Sequence, residues 1–159
     1  MKKKFLNITM TILFTVLLVA CSKDDSNDSS NNSSSDQIAQ ANQVAQNGTW
    51  RISYFWDTDK DETSNFNGYE FSFNSDGSLV AVRNTTTVNG TWSVTNSSSS
   101  SSSSSNDVDF NIFFSVPQDS DFDDLIDDWD IISITDNTIE LTDVSGGNGG
   151  TDFLTFTKI

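Results

Sequence analysis

Trp50-Arg51-Ile52-Ser53-Tyr54-Phe55-Trp56 alternates along its length. Trp50, Ile52, Tyr54 and Trp56 fall on one face of an extended chain; Arg51, Ser53 and Phe55 fall on the other. Period-two alternation of aromatic and β-branched residues is the signature of a strand with one face buried. The pattern recurs downstream. Tyr69, Phe71 and Phe73 alternate with Glu70, Ser72 and Asn74, and Val108, Phe110, Ile112, Phe114 and Val116 alternate with Asp109, Asn111, Phe113 and Ser115. Shorter candidates are Leu79–Arg83, Thr91–Thr95, Ile131–Thr135, Thr138–Thr142 and Phe153–Lys158. Turn-forming residues divide them: Asn74-Ser75-Asp76-Gly77, Asn89-Gly90, Asp136-Asn137 and Gly146-Gly147-Asn148-Gly149-Gly150. Eight strands joined mostly by tight turns must run antiparallel. The fold class is therefore all-β. Of the two arrangements open to eight short antiparallel strands, a sandwich and a barrel, closure into an up-and-down barrel leaves no exposed edge.

Two segments depart from strand periodicity. Asp36 to Gln46 carries Ile38, Ala41 and Ala45, with Asp36 placed to cap a short helix and Gly48 to end it. Phe122, Leu125, Ile126 and Trp129 stand at i, i+3, i+4 and i+7 with Asp between them, which predicts an amphipathic helix, N-capped by Asp121, lying over one end of the barrel. Nine consecutive serines, Ser97 to Ser105, fall between two strands and read as a polar hairpin loop. Such loops cost little, since doubling a loop's length adds only about 0.6 kcal/mol.

The N-terminus reads as an address. Lys2, Lys3 and Lys4 precede an apolar run of 13 residues, Ile8 to Ala20, well short of the roughly 20 that a spanning helix needs. A basic start, a short apolar core and small residues at the exit mark a secretory signal. Leu18-Val19-Ala20-Cys21 resembles the lipobox of bacterial lipoproteins. The resemblance implies cleavage after Ala20 and acylation of Cys21 by a diacylglycerol and an amide-linked chain such as palmitate. Cys21 is the only cysteine, so no intramolecular disulfide forms. Ser22-Lys23-Asp24-Asp25 resembles the acidic export signal of surface-exposed lipoproteins of Bacteroidota, and also suits an ordinary acidic tether. The expected organisation is a signal peptide over 1–20, a Ser/Asn/Asp tether over 21–36 that is too polar to fold, and one barrel domain over 37–159.

The chain has 23 acidic and 8 basic residues; loss of the three leader lysines leaves 23 against 5, a net charge of −18. A surface of that sign repels nucleic acid and anionic headgroups. There is no histidine, which removes His-based triads, His-based proton transfer and His-containing metal sites. With Cys21 acylated, no thiolate remains. Carboxylates are plentiful, but no motif selects a catalytic pair. A non-catalytic, monomeric protein held to the outer membrane through Cys21 is expected.

Asn47-Gly48-Thr49-Trp50 repeats as Asn89-Gly90-Thr91-Trp92. Gly-Thr-Trp at the entry to the first strand resembles the Gly-x-Trp signature of lipocalins. With Phe71-x-Phe73-Asn74-x-Asp76-Gly77, Gly90-Thr91-Trp92-Ser93-Val94, Asp128-Trp129-x-Ile131, Ile139-Glu140-Leu141 and Phe153-Leu154-Thr155-Phe156, it is similar to the lipocalin-like lipoproteins of Bacteroidota over Gly48 to Ile159. The family places an Arg near the last strand to stack on the first Trp; here the late cation is Lys158. The resemblance implies that a small apolar or amphipathic ligand is held in the barrel interior, with Trp50, Tyr54, Tyr69, Phe71, Trp92, Phe110 and Trp129 as its candidate lining. Small eight-stranded barrels either hold one ligand or are filled by their own side chains. The second reading is therefore a filled barrel that presents acidic loops to a protein or glycan. Two runs of alternating Asp, Asp57-x-Asp59-x-Asp61 and Asp119-x-Asp121-x-Asp123, are candidate calcium ligands. Neither carries the Gly and Glu of a complete EF-hand loop.

Overall fold

The computed structural model describes residues 31–97, 108–144 and 150–159. The leader, Cys21, the tether up to residue 30, most of the serine run and the glycine-rich stretch at 145–149, expected as a turn, lie outside the described residues. The described chain forms a helix α1 (Asn31–Gln46) and nine strands: β1 (Trp50–Asp57), β2 (Lys60–Asp61), β3 (Glu70–Phe73), β4 (Ser78–Arg83), β5 (Thr86–Asn96), β6 (Val108–Phe114), β7 (Asp127–Thr135), β8 (Thr138–Asp143) and β9 (Asp152–Lys158).

Every pairing is antiparallel and sequential from β3 to β9, and β1 closes the sheet against β9. The result is the expected eight-stranded barrel, with the two-residue β2 folded back on the end of β1. The seam between β1 and β3 is narrow: a single register pair, Trp50 with Phe71, joins them. Beyond it the connecting segment takes over the missing hydrogen bonds. Glu62 N–H donates to the Phe55 carbonyl and Phe55 N–H to Thr63 Oγ1, at 2.9 and 2.8 Å. A short 3-10 turn, Thr63–Phe66, then drops Phe66 into the core.

Alternation holds except where a bulge interrupts it. In β1 the ladder to β9 shifts between Ile52 and Tyr54. Ser53 and Tyr54 both face outward, and Phe55 becomes the next inward residue. The expectation that Tyr54 and Trp56 share the buried face with Trp50 and Ile52 is thus corrected. An extra residue in one strand flips every side chain after it. A second bulge, between Ile131 and Ser133, leaves Ile132 on the surface of β7.

Three other expectations are revised. The helix expected from Asp36 begins at Asn31, so the last residues assigned to the tether are helical. Ser and Asn are weak helix formers and leave no start signal; burial of Ala41, Val44 and Ala45 against the barrel holds the helix instead. The helix expected over Phe122–Trp129 is absent. Pro117 to Ile126 forms three successive turns, with N–H groups of Ser120, Asp123 and Ile126 donating to carbonyls three residues back. Each turn advances three residues, which mimics helical spacing and buries Phe122 and Leu125 together. Pairing with β6 then pulls Asp127 to Trp129 into β7. Asp121 caps no helix; its Oδ1 accepts from Asn65 Nδ2 at 3.1 Å.

Finally, Asn89-Gly90 is no turn but the middle of β5, paired with Val80 and Leu79. The chain reverses instead at Asn84-Thr85, where Asn84 adopts φ 54°, a conformation Asn tolerates better than most residues. Gly90 is needed because neighbouring strands crowd it. A Cβ there would lie 2.6 Å from Phe114 Cδ1 and against the Phe113 carbonyl oxygen. Gly90→Ala should therefore lower stability by about 1–3 kcal/mol through overpacking, read as a lowered urea midpoint at unchanged m-value.

Candidate functional site

The barrel interior is occupied by the chain's own rings. An unbroken path of ring contacts runs from one end to the other: Trp92 to Phe73, Phe156, Phe71, Phe122, Phe66, Phe55 and Trp129. Successive centroids are 5.2 to 6.4 Å apart. Most meet edge to face, the geometry the ring quadrupole favours, worth about 0.5–1.5 kcal/mol per pair beyond area burial. Phe122 is the plug. It also touches Tyr69 and Phe114, both at 5.0 Å.

Each buried tryptophan satisfies its indole N–H on a segment that closes an end of the barrel. Trp50 Nε1 donates to Ala45 O of α1, at 2.9 Å. Trp92 Nε1 donates to Asn74 O of the β3–β4 turn, at 3.0 Å. Trp129 Nε1 donates to Leu125 O, at 3.1 Å. Lys158 Nζ lies 5.7 Å over the Trp50 ring, a cation–π contact made by an ammonium without the planar face of Arg.

Of the seven interior candidates, Trp50, Tyr69, Phe71, Trp92, Phe110 and Trp129 are buried and form parts of this packing. Tyr54 is 40% exposed on the outer wall. Arg83 covers Tyr69, its guanidinium 4.2 Å from the ring centroid. The six buried residues are together, yet what lies between them is other side chains. Among the described residues, grooves lie on the outside. One, of about 350 Å3, separates α1 from β7 and is lined by Gln37, Gln40, Val108, Ile131, Ile132 and Ile134 among others. The other, of about 510 Å3, is shallower and follows β5 to β7 past Thr91, Asn111, Phe113, Ile126 and Asp128.

The two Asp runs meet at the end of the barrel opposite α1, though not as either run alone suggests. Among the described residues, the one group of three carboxylates with oxygens within 4.8 Å of one another is Asp57, Glu62 and Asp124. Asp119, Asp121 and Asp123 do not form such a group. Glu62 is buried and paired with Lys60. Burial, then the Asp152 carboxylate, raises the pKa of Asp57; burial, then Glu62 and Asp57, raises that of Asp124. Neither Glu62 nor Asp124 was visible as part of a cluster from spacing alone, because the 3-10 turn and the Pro117–Ile126 turns set the distance between the two runs. Asp61 is held low by its hydrogen bonds from Thr63.

No family model matches the chain, and no curated protein matches it. Among solved structures, it is similar to the crystal structure of a DUF4847 family protein from Bacteroides vulgatus, at 14% identity and a TM-score of 0.44, covering 74% of this chain and 96% of that one.

One further carboxyl is displaced. Burial at the start of β7, followed by a side-chain hydrogen bond with Asp128 and the Asp143 charge, pushes the pKa of Asp127 up to about 6. A carboxyl that binds its proton more tightly when folded adds stability at low pH and loses it as pH rises through about 4 to 6. Asp127→Asn should therefore raise the melting temperature at pH 7 by a few degrees and leave it unchanged near pH 4. Equal shifts at both pH values would contradict the assignment.

Proposed function

We propose that this chain is a lipid-anchored, non-catalytic interaction module: a filled barrel tethered through Cys21 to the outer face of the outer membrane. The observation that carries the reading is the interior. A carrier must leave room for its ligand, and ligand pockets commonly exceed about 300 Å3. Here the continuous ring path from Trp92 to Trp129 takes that space. A core of this kind makes a stiff support, and the outer wall and loops are then the surfaces left to act. The lipobox-like Leu18-Val19-Ala20-Cys21 and the acidic Ser22-Lys23-Asp24-Asp25 support the location. The lack of histidine, and of a catalytic constellation among the described residues, supports a binding role.

The more enclosed of the two outer grooves is the seat that best suits a small amphipathic ligand. The groove between α1 and β7 has about 350 Å3, isoleucines on one side and Gln37 and Gln40 on the other. Native mass spectrometry of the full-length protein separates the readings. The module reading expects only the mass of the protein and its lipid. A copurifying small molecule lost in Ile132→Arg would establish the groove as a carrier site. One retained in that variant but lost in Phe71→Trp would establish an interior site and overturn the filled barrel.

A further inference from the structure

β1 and β9 carry three large rings on the outside of the barrel. The bulge at Ser53 turns Tyr54 outward at 40% exposure; Phe153 is 36% exposed; Trp56 is half-buried and paired directly with Phe153. The interior packing uses none of them. Single exposed apolar residues are ordinary, but several on one wall mark a contact surface, and Tyr and Trp are enriched where partners dock.

Strand pairing frames the rings. One row across the outer face runs Asp61, Trp56, Phe153 and Thr142; the next runs Tyr54, Thr155, Glu140 and Ser133. Carboxylates therefore flank the rings on both sides. Asp61 accepts the Thr63 N–H at 3.0 Å and Glu140 accepts the Ser133 hydroxyl at 2.6 Å, which fixes their positions without neutralising them. Past the row of Trp56 and Phe153 stand Asp57, Asp59 and Asp152. Of the nearby cations, Lys60 pairs with Glu62, and Arg51 lies beyond Tyr54 in the row of Thr157. Rings bordered by carboxylates are complementary to cations that have a flat face. An anionic bilayer or a second copy of this acidic chain meets like charge instead.

We infer that the outer wall of β1 and β9 docks a basic segment of another protein, with arginine side chains lying on Tyr54, Trp56 and Phe153 and pairing with Asp61 and Glu140. Arginine suits the wall better than lysine, because a guanidinium stacks on a ring while its N–H groups reach a carboxylate. This inference rests on the interaction-module reading and names its surface and partner.

Anisotropy of labelled nona-arginine titrated with the full-length protein tests it. Binding should weaken as salt rises, and nona-lysine should bind several-fold more weakly. Tyr54→Ala/Phe153→Ala should weaken nona-arginine binding about tenfold or more at fixed salt while leaving the thermal melt in place. No binding, or binding undiminished in the ring variant, would overturn the inference; the second result would mean general attraction to an acidic chain. Retention of glycogen, or dimerisation in sedimentation, lost with the rings in place of nona-arginine binding would also overturn it. A ligand found inside the barrel would instead defeat the interaction-module reading, which this titration does not address.

Discussion

The indole N–H of Trp50 must find an acceptor in a place where water does not reach, and it finds Ala45 O at the end of α1. An unpaired buried donor costs on the order of 1–3 kcal/mol, so the helix and the first strand are set relative to each other by this bond. Trp92 and Trp129 repeat the arrangement at the β3–β4 turn and at the Pro117–Ile126 turns. Three large rings thus enter the barrel, and each ties down the segment that covers the place where it enters. The closure of both ends follows from satisfying these donors. The rest of the interior is aromatic packing between them.

That constraint gives the molecule an inside with little freedom and an outside with a good deal. Inward positions are occupied by rings in edge-to-face contact, where a methylene more or less is felt. Outward positions carry hydroxyls, carboxylates and a few rings whose burial the fold does not require. The bulges act at this boundary. At Ser53 an extra residue puts Tyr54 on the surface, and at Ile132 another puts an isoleucine beside the α1 groove. Bulges commonly re-aim side chains near functional surfaces, and these two lie beside the outer wall of β1 and β9 and beside the α1 groove.

Much of the barrel was legible from alternation. The strands at Trp50, Tyr69, Leu79, Val108, Ile131, Thr138 and Phe153 lie within a few residues of their expected bounds, because period two and turn residues agreed there. Two of the errors share one cause: local spacing or composition was ambiguous and tertiary contact decided. Phe122, Leu125 and Trp129 have helical spacing, but successive three-residue turns and a strand produce the same burial. Asn89-Gly90 has the composition of a hairpin turn, but Gly90 serves close strand approach. Tyr54 reads as inward until a bulge that no residue type announces reverses it. The carboxylate cluster takes Asp57 from one run, Asp124 from just after the other and Glu62 from the turn between β2 and β3, a grouping that only the fold assembles.

Hydrogen exchange of the four indole N–H groups, followed by NMR on the full-length protein, tests the filled barrel most directly. Trp50, Trp92 and Trp129 should exchange together, at the rate set by global unfolding, while Trp56, bonded to Thr58 O on the surface at 3.2 Å, exchanges freely. Rapid exchange at Trp50 or Trp92 with the fold intact would show water reaching the interior, and would contradict a barrel closed by its own tryptophans.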